Sequence, residues 1–69
     1  MEREAYIATH ENSHVVIKSR FDGRYYIAYF INGKAFRADF ENSLSSAKKS
    51  VSDWFCVDQD TIEWKPYNA

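Results

Sequence analysis

Four side chains in this sequence are of the kinds that hold metals or act as nucleophiles: His10, Glu11, His14 and Cys56. Two histidines four apart clasp a divalent metal when both stand on one face of a helix. Here the interval crosses the polar stretch His10-Glu11-Asn12-Ser13 and enters a strand, so the two rings share no direction. Structural zinc sites repeat paired Cys or His spacings, and one remote cysteine supplies no second pair. A Cys–His catalytic pair is equally poorly served. Cys56 follows Trp54-Phe55 at the end of an amphipathic segment, where the negative end of a helix dipole opposes thiolate formation. An inert, partly buried cysteine is expected, with no metal, no cofactor and no enzymatic activity. Both glycines belong to hairpin turns, which leaves none for a phosphate-binding loop.

Charge is the next source of chemistry. The chain carries nine basic and ten acidic residues, a net charge of −1, so bulk electrostatics would not hold it to nucleic acid. The charges are unevenly spread. Lys18, Arg20, Arg24, Lys34 and Arg37 fall within residues 14–37 against the single acid Asp22. Asp53, Asp58, Asp60 and Glu63 fall within residues 53–63 with no base among them. Such an acidic run is ordinarily a solvated surface; its sharper reading is a carboxylate array that occupies a basic groove on a partner, with Trp54, Phe55 and Trp64 as anchors.

The elements that must position these groups follow from two dipeptides. Asp22-Gly23 and Asn32-Gly33 bracket Arg24–Ile31, a run almost wholly aromatic or branched, which predicts a central strand with a tight hairpin at each end. Ala5–Thr9, His14–Arg20 and Lys34–Phe40 read as further strands. Leu44, Ala47, Val51, Trp54 and Phe55 form one helical stripe, predicting a helix over Ser43–Phe55 capped by Asn42 or Ser43 with Ser45, Ser46, Ser50 and Ser52 on its outer face. Thr61–Lys65 alternates, with Ile62 and Trp64 turned one way, and predicts a last edge strand ended by Pro66. The expected fold class is α+β: an antiparallel meander sheet of four to five strands with one helix packed on one face, in the order β-β-β-β-α-β. Residues 1–69 form a single domain with frayed ends at 1–4 and 66–69.

Register sorts the side chains into faces. A two-residue Asn32-Gly33 loop pairs Ile31 with Lys34, Tyr29 with Phe36, Ile27 with Ala38 and Tyr25 with Phe40. A two-residue loop at Asp22-Gly23 would bury Lys18 and Arg20 beneath the helix, so a three-residue loop, Phe21-Asp22-Gly23, is expected. Val15, Ile17, Ser19, Tyr25, Ile27, Tyr29, Ile31, Phe36, Ala38 and Phe40 then face the helix. The opposite, open face carries His14, Val16, Lys18, Tyr26, Ala28, Phe30, Arg37 and Asp39. Rings mixed with cations suit a protein interface and also a surface on which bases stack. The N-terminal strand, the C-terminal tail or a second copy of the chain are the other candidates to cover that face.

The stretches Val15-Val16-Ile17, Tyr25–Phe30, Asn32-Gly33-Lys34-Ala35-Phe36-Arg37 and Ser43–Val51 resemble the three-stranded arm-binding domains of phage integrases, whose sheet enters the DNA major groove. That resemblance implies Arg24, Tyr26, Lys34 and Arg37 as contact residues. The same stretches are similar to the partial double-stranded-RNA-binding-like folds of Hic-type antitoxins. The strand before residue 10 and the acidic segment after the helix lie outside both. In size and composition the chain resembles small accessory proteins of bacteriophages and mobile elements, anti-restriction and anti-CRISPR inhibitors included, which occlude a host complex.

A single cysteine, no signal-like start and no apolar run long enough for a bilayer lead to a cytoplasmic expectation, with no membrane partner. The functional expectation is a small non-enzymatic protein that inhibits or regulates a host protein complex by occupying its surface, through Tyr26, Phe30 and Arg37 with Asp58, Asp60 and Glu63 alongside. The alternative is DNA or RNA binding by Lys18, Arg24, Tyr26, Lys34 and Arg37.

Overall fold

In the computed structural model, which describes residues 4–67, both glycines stand at positive φ, Gly23 at +86° and Gly33 at +80°. Asn32 also lies at positive φ, as a two-residue hairpin loop requires. Asp22 holds the other turn by accepting from the Arg24 backbone N–H at 3.1 Å. This bond, aided by the charges of Arg20 and Arg24, holds the Asp22 carboxyl below the usual carboxylate range. The strands are β1 (Ala5–His10), β2 (Ser13–Ser19), β3 (Tyr25–Ile31) and β4 (Lys34–Glu41); helix α1 (Leu44–Phe55), a 3₁₀ turn at Gln59–Thr61 and β5 (Lys65–Pro66) follow. All pairings are antiparallel and the spatial order is β4-β3-β2-β1-β5. The expected α+β architecture is the one observed.

The β2–β3 register is that of the three-residue loop. Ser19 pairs with Tyr25, Lys18 with Tyr26 and Ile17 with Ile27. Val15, Ile17, Ile27 and Tyr29 therefore share the helix side with Ala8, and all are buried against Ala47, Val51 and Phe55. Ser43 caps α1 by accepting from the Ser46 N–H at 3.1 Å. Two serines depart from the expected outer face: Ser50 is part-buried and bonds Glu41 of the sheet, and Ser52 is buried, its hydroxyl donating to the Lys49 carbonyl at 2.8 Å. Cys56 is exposed, not partly buried as expected. It sits at φ +60° and terminates the helix, its N–H donating to Asp53 O while Val57 N–H donates to Ser52 O.

The β3–β4 register differs from expectation. Ile31 pairs with Lys34 and Phe30 with Ala35, but Tyr29 then pairs with Arg37, so Phe36 is an extra residue in a β-bulge. Beyond the bulge Ala28 faces Ala38, Ile27 faces Asp39 and Tyr26 faces Phe40. Every side chain from Ala38 to Phe40 is thus on the face opposite to the one expected. Helix α1 lies against β3 and β4 at this edge of the sheet, and the residues that the bulge turns toward it are held by polar contacts. In the bulged register Arg37 lies 5.4 Å over the Tyr29 ring and bonds Asp39 at 2.6 Å, and Glu41 accepts from Ser50 of the helix at 3.2 Å.

The C-terminal segment is also corrected. Thr61–Lys65 is not a continuous strand, because Thr61 bonds back to the Asp58 carbonyl through both its N–H and its hydroxyl and closes the 3₁₀ turn. Only Lys65–Pro66 joins the sheet, beside β1. Ile62 and Trp64 do pack on the core as their alternation indicated. Of the ends expected to fray, 1–3 and 68–69 lie outside the described residues. Glu4 exchanges bonds with Ser19, and the Tyr67 N–H donates to Ala5 O.

Ile27→Ala, in the packed layer between sheet and helix, will lower stability by about 2–5 kcal/mol in urea unfolding. Tyr29 adds a pH dependence. Burial raises its phenol above the ordinary 10.0, Asp39 adds to the rise, Arg37 opposes it and Glu41 adds further. A raised folded-state pKa gives stability that is complete below the unfolded value and is lost as pH climbs through the folded one. The urea midpoint of the wild type will therefore fall above about pH 10 more steeply than that of Tyr29→Phe.

Candidate functional site

The sheet face away from α1 is built by alternation from β1 to β4. Ile7, Val16, Ala28 and Ala38 lie side by side across four strands. Val16 is only 5% exposed although no helix covers it; its strand neighbours close around it, so the centre of the face is dry. Two ring pairs flank this row. His14 stacks on Phe30 with centroids 4.5 Å apart and planes 8° from parallel. Tyr26 meets Phe40 at 5.3 Å on the other side.

One end of the face is cationic. Lys18 pairs with Tyr26, and beyond it Arg20 and Arg24 close the hairpin, the Arg20 N–H donating to Arg24 O at 2.8 Å. The Arg20 guanidinium lies 5.0 Å from the Phe40 ring centre, and the Lys18 ammonium 5.7 Å from that of Tyr67. Lys18, Arg20, Phe21 and Tyr26 line a shallow notch of about 380 Å³, beside which Phe21 is 82% exposed. No carboxylate occupies an open-face position of β1–β5 among the described residues.

Of the residues expected to act together, the structure groups Tyr26, Phe30, Lys18 and Arg24. It separates Arg37, which the bulge turns to the helix side with Asp39. Lys34 takes the helix-side register opposite Ile31. Of the acidic residues only Glu63 comes near this face, 3.8 Å from Lys65, which stands opposite Ile7. Asp58 and Glu63 line a cleft of about 530 Å³ with His10 and Phe55, on the helix layer, and Asp60 lies in the adjoining 3₁₀ turn. His10 packs against Phe55 at 5.3 Å on the helix side while His14 is on the open side, so the two rings diverge. Among the described residues, no three His, Cys, Asp or Glu side chains gather closely enough to hold a metal ion. The Cys56 thiol donates to Asp53 O at 3.6 Å.

Sequence reasoning missed Ala38 and Phe40 as members of this face. Apolar 36, 38 and 40 alternate cleanly with charged 37, 39 and 41, so β4 is self-consistent in either parity; only the extra residue at Phe36 chooses. No protein-family model, no curated protein and no solved structure is significantly similar to this chain. No helix among the described residues is long and apolar enough to cross a membrane.

The centre of the face and the rim of the notch differ in what they support. Val16→Ala will destabilise by about 1–3 kcal/mol in urea unfolding even though it lies outside the helix-covered core. Phe21→Ala will stay within about 0.5 kcal/mol of the wild type.

Proposed function

We propose that this chain is a non-enzymatic binding protein that acts by occupying a protein partner with its open sheet face. The observation that carries the reading is the composition of that face after the bulge: an aliphatic row, buried at Val16 and open at Ala38, between two ring pairs, with cations at one end and no carboxylate at its strand positions. Interface centres are depleted in charge and enriched in aromatics, with Arg at the margin. A complementary partner presents an apolar projection flanked by acidic side chains. Carried over from the resemblance to phage and mobile-element inhibitors, the partner is a component of a host complex. Loss of Arg37 and gain of Ala38 and Phe40 favour protein over nucleic acid, because the cations of the nucleic-acid reading are divided between two faces.

The test is affinity capture from bacterial lysate with and without nuclease treatment, followed by binding of the purified partner. Phe40→Ala and Tyr26→Ala will each weaken that binding at least tenfold, while Phe36→Ala, an exposed ring on the helix side, will not. Binding indifferent to Tyr26, Phe30 and Phe40 places the site elsewhere. Capture that disappears with nuclease and weakens steeply with salt in step with Lys18→Ala and Arg24→Ala means a nucleic-acid ligand.

A further inference from the structure

We propose that β4 pairs antiparallel with β4 of a second copy, in a register centred on Ala38, to form a twofold dimer with one continuous sheet. The two sheet edges differ. At one, β5 contributes two residues, one of them Pro66, which has no N–H to offer. At the other, β4 is eight residues long, and Lys34–Ala38 are all exposed. Pairing with β3 uses one row of its backbone groups, and the second row faces no strand.

The sequence around Ala38 is self-complementary. An antiparallel twofold at Ala38 sets Arg37 opposite Asp39 of the second copy, and Asp39 opposite its Arg37. Both side chains lie on the helix side, half exposed, and already touch within one chain at 2.6 Å. A guanidinium has donors enough for its own Asp39 and for that of the second copy. The four charges then alternate in sign around the axis. On the open side Ala38 meets Ala38, which lets the backbones approach to ladder distance, and the half-exposed Phe40 ring is diagonal to that contact. From Arg37 to Glu41, β4 is in unbroken register with β3, so the bulge at Phe36 leaves this segment straight and limits pairing beyond it. So short an interface makes a weak dimer, dependent on concentration. The inference does not depend on the docking role of the open face; it places two such faces side by side.

Sedimentation equilibrium on the full chain tests it, from about 10 µM to about 1 mM. The weight-average mass of the wild type will climb from 8.1 kDa toward twice that value. Arg37→Asp and Asp39→Arg will each stay monomeric, since each sets like charges across the axis. An equimolar mixture of the two will associate, because every cross-strand pair is again opposite in sign. Ala38→Lys, at an exposed position outside the core, will weaken self-association at least tenfold. The proposal is overturned by a wild type that stays at 8.1 kDa throughout, by self-association that survives both charge reversals or Ala38→Lys, or by a mixture that fails to associate.

Discussion

One extra residue, the bulge at Phe36, decides which side of β4 meets the helix, and the make-up of both sheet faces follows from it. The twelve residues of α1 bury Ala8, Val15, Ile17, Ile27 and Tyr29, all on β1–β3. On β4 the helix side is polar. The chain places Arg37, Asp39 and Glu41 there and ties them to Tyr29, to each other and to Ser50. A charged skirt on the helix side is therefore coupled to an apolar strip on the other side, since strand side chains alternate.

The far side is thus more than a leftover surface. A chain of 69 residues has little core to spare, and each residue ordered costs about 1.5 kcal/mol. Val16, closed in by Ile7 and Ala28, gives the sheet a second, thinner apolar layer without a second helix. That layer is flanked by rings, and the Arg20 guanidinium lies over one of them, Phe40. Burial for stability and exposure for recognition meet on the same strands.

Helix termination shows the same economy of means. With both glycines committed to hairpins, the left-handed residue that ends α1 is Cys56, and the chain turns through Asp58–Thr61 to bring Ile62 and Trp64 back to the core. Lys48 on the helix lies over both Tyr6 and Trp64, which joins helix, first strand and returning tail. The acidic residues follow this route and so lie on the helix layer, away from the cationic end of the open face. Their separation gives the molecule two distinct charged regions at a net charge near zero.

The residues alone determined everything that rests on local chemistry. Asp22-Gly23 and Asn32-Gly33 set the hairpins, the Leu44–Phe55 stripe set the helix, and the cost of burying Lys18 and Arg20 chose the three-residue loop that puts His14, Val16, Lys18, Tyr26 and Phe30 on one face. These choices depend on turn geometry and on charge, which a short window of sequence displays. The parity of β4 was decided by the tertiary structure, because its alternating pattern fits either face and only contacts such as Arg37 with Tyr29 and Glu41 with Ser50 distinguish them. The same holds for the tail, where local bonds at Asp58–Thr61 competed with pairing and left β1 only two residues to bind. The contacts that fix β4 join residues that are distant in the chain, so no short window of sequence displays them.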